Sequence, residues 1–106
     1  MYIAWTTVAN RADAELLAAD VVARQLAVCV QIDGPIISHY HWQGRTERSE
    51  ETRLCFKCLP RNLPALEKHV LSVHPYDTPE WLVVAAERVG EKYLSWAEAN
   101  SSNPPL

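Results

Sequence analysis

The middle of the chain, residues 28–59, reads VCVQIDGPIISHYHWQGRTERSEETRLCFKCL. Gln43-Gly44 has the composition of a tight turn, so the segments before and after it are predicted to pair antiparallel. Gly34-Pro35 interrupts the first of these segments. Alternating polarity and an excess of β-branched and aromatic residues predict strands in three places: Val28 to Ile32, Ile36 to Trp42 and Glu51 to Leu59.

A strand and a helix precede this segment. Tyr2 to Thr7 is rich in aromatic and β-branched residues, which predicts a strand. Asn10 is a favourable N-cap, and apolar residues recur after it at steps of three and four. These positions predict the buried face of the first helix: Ala12, Leu16, Ala19, Ala23 and Leu26.

Two helices and a strand follow the segment. Asn62 and Pro64 open a helix, Trp81 to Val89 predicts a strand, and Tyr93 to Ala99 predicts a short terminal helix. Residues 101–106 predict a loose tail. The predicted buried face of the second helix is made of four apolar residues: Leu63, Leu66, Val70 and Val73.

The predicted order of elements is β-α-β-β-α-β followed by one more helix. This order matches the ferredoxin-like split βαβ pattern, an α+β fold, in a single domain over residues 1–106. Right-handed crossovers put both main helices on one face of a four-stranded sheet. The other face carries Trp, Tyr and Leu side chains, and no further segment of the chain is left to cover it. We therefore expect a second copy of the protein to cover it.

Composition narrows the classes of partner. The chain has 106 residues with a net charge of −3 and no visible basic patch, so we expect neither a nucleic-acid partner nor an anionic membrane. No apolar run is long enough to span a bilayer. Three cysteines, an odd number, without a secretion signal favour reduced thiols and a cytoplasmic location.

Two pairs of residues suggest metal chemistry. Cys55-x-x-Cys58 places its thiols on opposite faces of a strand with Cα atoms about 10 Å apart, so we expect packed thiols rather than a chelate or a disulfide. His39-x-His41 places two imidazoles on one strand face, about 6.6 Å apart at Cα. Such a pair suits Cu²⁺ or Zn²⁺ but gives only a weak site. The alternative is a pair of surface histidines on a hairpin arm.

The stiff polar connector SVHPYDTPEW, residues 72–81, has two explanations. His74 precedes a proline and therefore ends the second helix, where it can cap the last carbonyls. The two prolines then make the connector a rigid corner. A rigid corner that carries His74, Asp77 and Glu80 is equally suited to hold a ligand. The sequence alone does not choose between these explanations.

Motifs along the chain also suggest a family. In order, they are Ala27-x-Cys29, Ser38-x-Tyr40-x-Trp42-x-Gly44, Lys57, His74-Pro75-Tyr76-x-Thr78-Pro79-Glu80 and Tyr93-Leu94-Ser95-Trp96. This pattern covers nearly the whole chain and resembles the CutA divalent-cation tolerance family. The resemblance implies a cytoplasmic, non-enzymatic homotrimer with a ferredoxin-like fold, linked to copper tolerance and able to bind Cu²⁺ or another divalent cation. It also implies a long central hairpin, about Val28 to Leu59, that extends across subunits.

The resemblance places the family's metal ligands at Thr6 and at the pair Val73-His74, so that only His74 keeps a metal-binding residue type. His39 and His41 are then the other candidate ligands. The resemblance further implies that the connector forms the rim of a cleft between subunits. The residues expected at this cleft are Tyr40, Trp42, Lys57, Tyr76 and Glu80.

A buried Lys57 would need a carboxylate partner, for which Glu51 and Glu80 are the candidates. Two other functions compete with metal tolerance. One is a small-molecule sensor similar to the trimeric PII proteins, which bind ligands in intersubunit clefts. The other, the least favoured, is an acylphosphatase-type hydrolase, although Thr7 to Arg11 lacks the glycines of an anion-binding loop.

Overall fold

The computed structural model describes residues 1–104. Along the chain, a strand and a helix come first, two strands joined by a tight turn follow, and a helix and a strand come next. This is the predicted α+β, ferredoxin-like arrangement, with one more helix after it. The elements are β1 (Tyr2–Val8), α1 (Arg11–Ala23), β2 (Cys29–Trp42), β3 (Arg45–Cys58), a 3₁₀ turn (Pro60–Asn62), α2 (Leu63–Val73), β4 (Leu82–Ala85) and α3 (Glu91–Ala99).

The four strands form one antiparallel sheet in the order β2-β3-β1-β4. Alternate residues of the central strands point towards α1 and α2, and this face holds the core. Phe56 and Leu54 are its largest fully buried side chains, and Leu66 and Val70 of α2 pack into the same cluster. Of the predicted face of α2, Val73 lies outside the core, with 51% of its surface exposed.

Most of the predicted face of α1 is wrong, although the N-cap is right and Leu26, just beyond the helix, packs against the core as predicted. The Asn10 side chain accepts a hydrogen bond from the Asp13 backbone N–H, as the capping signal predicts. Leu16, however, is 72% exposed. This helix is so rich in alanine that more than one face is apolar, and the sheet selects the face that brings Leu17 and Val21 into contact with the core.

The central hairpin has the length that the resemblance implies, but its two strands are continuous where the residue pattern predicted three shorter strands. β2 and β3 have 14 residues each, and they turn at Gln43 and Gly44, whose φ angles of 50° and 77° are those of a type I′ turn. β2 runs through Gly34-Pro35 with only a local shift of register between Asp33 and Ile36. Because β1 ends opposite Thr52, the outer half of the hairpin pairs only with itself and projects beyond the rest of the sheet.

Two C-terminal predictions also need correction. β4 is shorter than the predicted strand because only Leu82–Ala85 pairs with β1. The predicted loose tail begins with ordered contacts: the Ser102 N–H donates to the Gln25 carbonyl, and the Ser102 carbonyl accepts a hydrogen bond from Asn62 Nδ2. Residues 105–106 of that predicted tail lie outside the described residues.

The sheet face opposite α1 and α2 is largely bare. Leu82 and Val84 on β4 are 57% and 48% exposed, and their neighbours across the sheet are Trp5 and Ile3. At one corner Tyr93 of α3 lies beside this face. No helix within residues 1–104 is both long enough and apolar enough to cross a membrane.

Candidate functional site

A cleft of about 850 Å³ lies between the connector and the base of the projecting hairpin. Four of the predicted cleft residues line it. Tyr40 and Trp42 come from β2, where their spacing of two puts both rings on one face of the strand. Tyr76 and Glu80 come from the connector, which runs beside the end of β1.

Lys57, the fifth predicted residue, is not part of this cleft. It lies towards the far end of β3, opposite Cys29, and its Nζ donates a hydrogen bond to the Gln31 side-chain oxygen. The sequence suggested Glu51 or Glu80 as its partner. Glu51 is six residues away on the same strand, a separation of about 20 Å along an extended chain, which is beyond the reach of a lysine side chain.

Tyr76 joins the connector to the hairpin. Its hydroxyl donates to Glu51 Oε2 at 3.0 Å, and on the hairpin itself Ser49 Oγ donates to the Tyr40 hydroxyl at 3.3 Å. Burial, together with the neighbouring Glu51 carboxylate, raises the pKa of Tyr76 to about 12. The phenol therefore keeps its proton at neutral pH and donates it to Glu51.

His74 holds the start of the connector against β1 with both ring nitrogens. Nδ1 accepts a hydrogen bond from the Tyr76 backbone N–H at 3.0 Å, so the ring proton is on Nε2. Nε2 lies 3.1 Å from the Thr7 carbonyl and 3.0 Å from Thr6 Oγ1. Burial lowers the pKa of His74, which favours this neutral form.

The positions that the resemblance implies for a metal do not fit a divalent cation. Thr6 and His74 are in contact, but the lone pair of His74 Nδ1 is engaged by Tyr76 and Nε2 carries the hydrogen. The Thr6 hydroxyl donates to the Glu80 carbonyl at 2.7 Å, and Val73 has no donor atom in its side chain. Among residues 1–104, no group of three or more His, Cys, Asp or Glu side chains is arranged to hold a metal ion.

His39 and His41 lie on the outer half of the hairpin, on one face of β2, opposite Arg48 and Thr46. Both histidines are exposed. His39 reaches the lining of the cleft, whereas neither His41 nor His74 does. The structure therefore keeps the hairpin pair together but does not bring it to His74 in one site.

The sequence points to Asp77 and Glu80 of the connector as residues suited to hold a ligand, but it does not reveal the acidic residues that the hairpin adds to the cleft. Glu50, Glu51 and Asp77 line it together with Glu80. Glu50 and Glu51 fall within a charged run that is typical of a solvated loop. The available signal is the Gln43-Gly44 turn, because counting outward from it sets the strand register that places Glu50 and Glu51 opposite Ile37 and Ile36 of β2, at the base of the hairpin.

Comparisons with known proteins agree on one family. The family described as CutA1 divalent ion tolerance protein matches residues 2–100. A Yersinia pestis (strain Pestoides F) protein named divalent-cation tolerance protein CutA is 37% identical over 94 residues, which cover 89% of this chain and 79% of the relative.

Solved structures give the same result. CutA1 from Oryza sativa is 31% identical with a TM-score of 0.92, and the match covers 97% of this chain and 94% of that one. CutA1 from Pyrococcus horikoshii has a TM-score of 0.92 at 23% identity, covering 97% of this chain and 100% of that one, a similarity that concerns the fold alone.

Proposed function

The chain belongs to the CutA1 divalent ion tolerance family, and from this membership we propose that it acts in divalent-cation tolerance as a cytoplasmic homotrimer without catalytic activity. We further propose that it binds divalent copper weakly, through imidazoles of the hairpin. The proposal of three subunits rests on the resemblance of the sequence motifs to those of the CutA family. The cytoplasmic location is supported by the three free thiols, Cys29, Cys55 and Cys58.

The bare sheet face is the main structural observation that supports assembly into a homotrimer. Leu82 and Val84 are about half exposed, beside Trp5 and Ile3 of the neighbouring strand. Each Å² of apolar surface removed from water stabilises an assembly by about 25 cal/mol, so covering such a face with another copy is favourable. The projecting hairpin, with Trp42 47% exposed, offers a second apolar surface to that copy.

The hairpin imidazoles support weak copper binding better than the inherited positions do. His39 and His41 are exposed and share a strand face, so that a cation can reach both. Imidazole nitrogen suits divalent copper, and two ligands give a weaker site than four. His74, by contrast, uses both ring nitrogens to hold the connector.

The acylphosphatase alternative loses support at the end of β1. Only Ala9 and Asn10 separate β1 from α1, and the Asn10 side-chain oxygen caps the helix. Arg11 lies 3.3 Å from Glu15 on the surface of its own helix, so the two polar side chains do not form a preorganised anion-binding loop. The PII-like alternative is favoured by the cleft itself, but carboxylates in its lining oppose the phosphates of a nucleotide.

Sedimentation equilibrium tests the assembly. We expect about three times the chain mass of 12.0 kDa at micromolar concentration. Leu82→Glu puts a charge on the bare face and should shift the mass towards monomer. Leu16→Glu is the matched control, because Leu16 is 72% exposed on the outer side of α1. A parent chain that is monomeric with full secondary structure would contradict the homotrimer.

Expression of the chain in a copper-sensitive bacterial strain tests the cellular role. It should raise the copper concentration at which growth stops, and Leu82→Glu should remove most of this effect if the homotrimer is the active form. An unchanged copper threshold with well-folded trimeric protein in the cell would contradict the tolerance function.

A further inference from the structure

The terminal helix α3 exposes its large apolar side chains and buries a small one. Ala97 is its one fully buried residue. Tyr93, Leu94 and Trp96 are 37%, 37% and 46% exposed. A surface helix of a single domain normally turns its large apolar residues towards the core instead. Within residues 1–104, the face of α3 that carries these three side chains remains partly open to solvent.

Polar contacts fix α3 in this orientation. Arg61 Nη1 donates to Glu98 Oε2 at 2.6 Å. The carbonyl of Ser102, just beyond the helix, accepts hydrogen bonds from Arg61 Nε at 3.1 Å and from Asn62 Nδ2 at 2.9 Å. Asn62 is only 1% exposed, so the helix is attached to the interior of the protein. The rings of α3 are therefore held outward in a fixed position, and a partner does not have to order them first.

Tyr93 connects α3 with the bare sheet face. It neighbours Cys29 and Cys55, which lie on the adjacent strands β2 and β3. Cys55 in turn lies opposite Trp5 of β1, on the same face of the sheet. On its other side Tyr93 contacts Trp96, with the ring centroids 5.6 Å apart. A continuous row of apolar and thiol side chains therefore leads from the bare sheet face to the exposed face of α3.

We propose that the exposed face of α3 docks against a second copy of the chain, with Tyr93 and Trp96 as its main contacts. The inference rests on the proposed homotrimer and extends the interface beyond the sheet. Continuity favours a second copy over an unrelated protein, because a copy that covers the bare sheet face also reaches its edge at Tyr93. Rigidly held tryptophan and tyrosine are the residue types that contribute most of the binding free energy in protein interfaces.

Sedimentation equilibrium over a range of concentrations tests the proposal on the full chain. Trp96→Ala should raise the dissociation constant of the assembly by about tenfold or more, whereas Trp96→Phe keeps an aromatic ring and should raise it less. Leu71→Ala is the matched control, because Leu71 is 42% exposed on α2, which packs on the opposite face of the sheet. It should change the dissociation constant by less than about twofold. Circular dichroism checks that each variant is folded.

Hydroxyl-radical labelling gives a second measurement, on the unaltered protein. Mass spectrometry compares the labelling of Trp96 in the assembly with that in a free peptide of residues 91–100, where the indole is fully exposed. We expect a small fraction of the peptide's labelling, because the second copy covers the ring. If α3 stayed free in the assembly, its 46% exposure would give roughly half of the peptide's labelling.

The mass of the parent chain separates this inference from the proposed function. A trimeric parent whose Trp96→Ala variant dissociates no more readily than Leu71→Ala would overturn the docking of α3 and leave the homotrimer intact. Labelling of Trp96 near half of the peptide's value would do the same and would leave this face open to a different partner. A monomeric parent would contradict the homotrimer, and the docking of α3 with it.

Discussion

Thr6 and His74 are 68 residues apart in sequence and in direct contact, with 3.0 Å between Thr6 Oγ1 and His74 Nε2. The same threonine hydroxyl donates to the carbonyl of Glu80, so one side chain of β1 fixes the connector at both ends. Thr6 is fully buried. The rim of the cleft is therefore attached to an interior strand of the sheet.

Thr6→Val should destabilise the protein, because it keeps the side-chain shape and removes the hydroxyl that serves two partners. Leaving a buried polar group without its hydrogen bond costs about 1–3 kcal/mol. Urea denaturation at fixed protein concentration measures the loss. Thr46→Val on the exposed part of the hairpin is the control. An equal loss of unfolding free energy in Thr6→Val and Thr46→Val would show that the contacts of the Thr6 hydroxyl do not hold the connector.

The stability of the protein should fall in mild acid because of His74. Burial lowers the pKa of His74 below the ordinary 6.5, so the unfolded chain binds the proton more readily than the folded chain. The stabilisation is present above pH 6.5 and is lost as the pH falls through the lowered pKa. Protonation would also put a hydrogen on Nδ1, which now accepts from Tyr76 N–H.

Unfolding in urea at pH 7.5 and pH 5 measures this dependence. His74→Ala should be less stable at both values but should show a smaller difference between them, whereas the exposed His39→Ala should keep the difference of the parent. The aspartates with lowered pKa, Asp20 and Asp33, lose their contribution only below their usual 3.8, outside this window. An unchanged difference in His74→Ala would assign the pH dependence to another group.

Much of the fold follows from local signals. The Asn10 cap and the Gln43-Gly44 turn each specify one backbone geometry, and both are observed. The face of α1 could not be predicted, because its alanines make several faces apolar and only packing against the sheet distinguishes Leu17 from Leu16. The start of β3 at Arg45 was missed because the hairpin ladder is a backbone interaction that charged side chains do not reveal.

The candidate site was predictable only in part. The spacing of Tyr40 and Trp42 on one strand already puts both rings on one face. The partners of His74 and Lys57 depend on where the connector crosses the end of β1 and on the register of the hairpin, which are tertiary features.

Gly34→Ala should destabilise the hairpin. Gly34 has a φ of 145°, and an added Cβ would lie 3.1 Å from the Glu51 carbonyl oxygen and 3.2 Å from Thr52 Cα. Both contacts are with backbone, which cannot move aside as a side chain can, so we expect a loss of about 1–3 kcal/mol. Thermal or urea unfolding measures it. Gly90→Ala is the control, because a Cβ there would meet only Tyr93 Cβ at 4.0 Å.

Copper binding should depend on the hairpin histidines more than on His74. His39 and His41 share one strand face, so that both can bind one cation, whereas the nitrogens of His74 already hold Tyr76 and Thr7. Titration of metal-free protein with Cu²⁺ should therefore show a large loss of affinity in the double variant His39→Ala with His41→Ala. His74→Ala is the matched single-imidazole comparison.

In the same titration, the binding of Cu²⁺ should weaken as the pH falls from about 7 to about 5, because imidazole must be neutral to coordinate and protons compete with the metal. We expect the parent and His74→Ala to have similar affinities for Cu²⁺. The double variant His39→Ala with His41→Ala should bind Cu²⁺ much more weakly than either. Cys55→Ser with Cys58→Ser should bind as the parent does, since these side chains alternate along β3 and point to opposite faces. Copper affinity that is the same in all variants and flat across this pH range would show that the ligands are not these imidazoles.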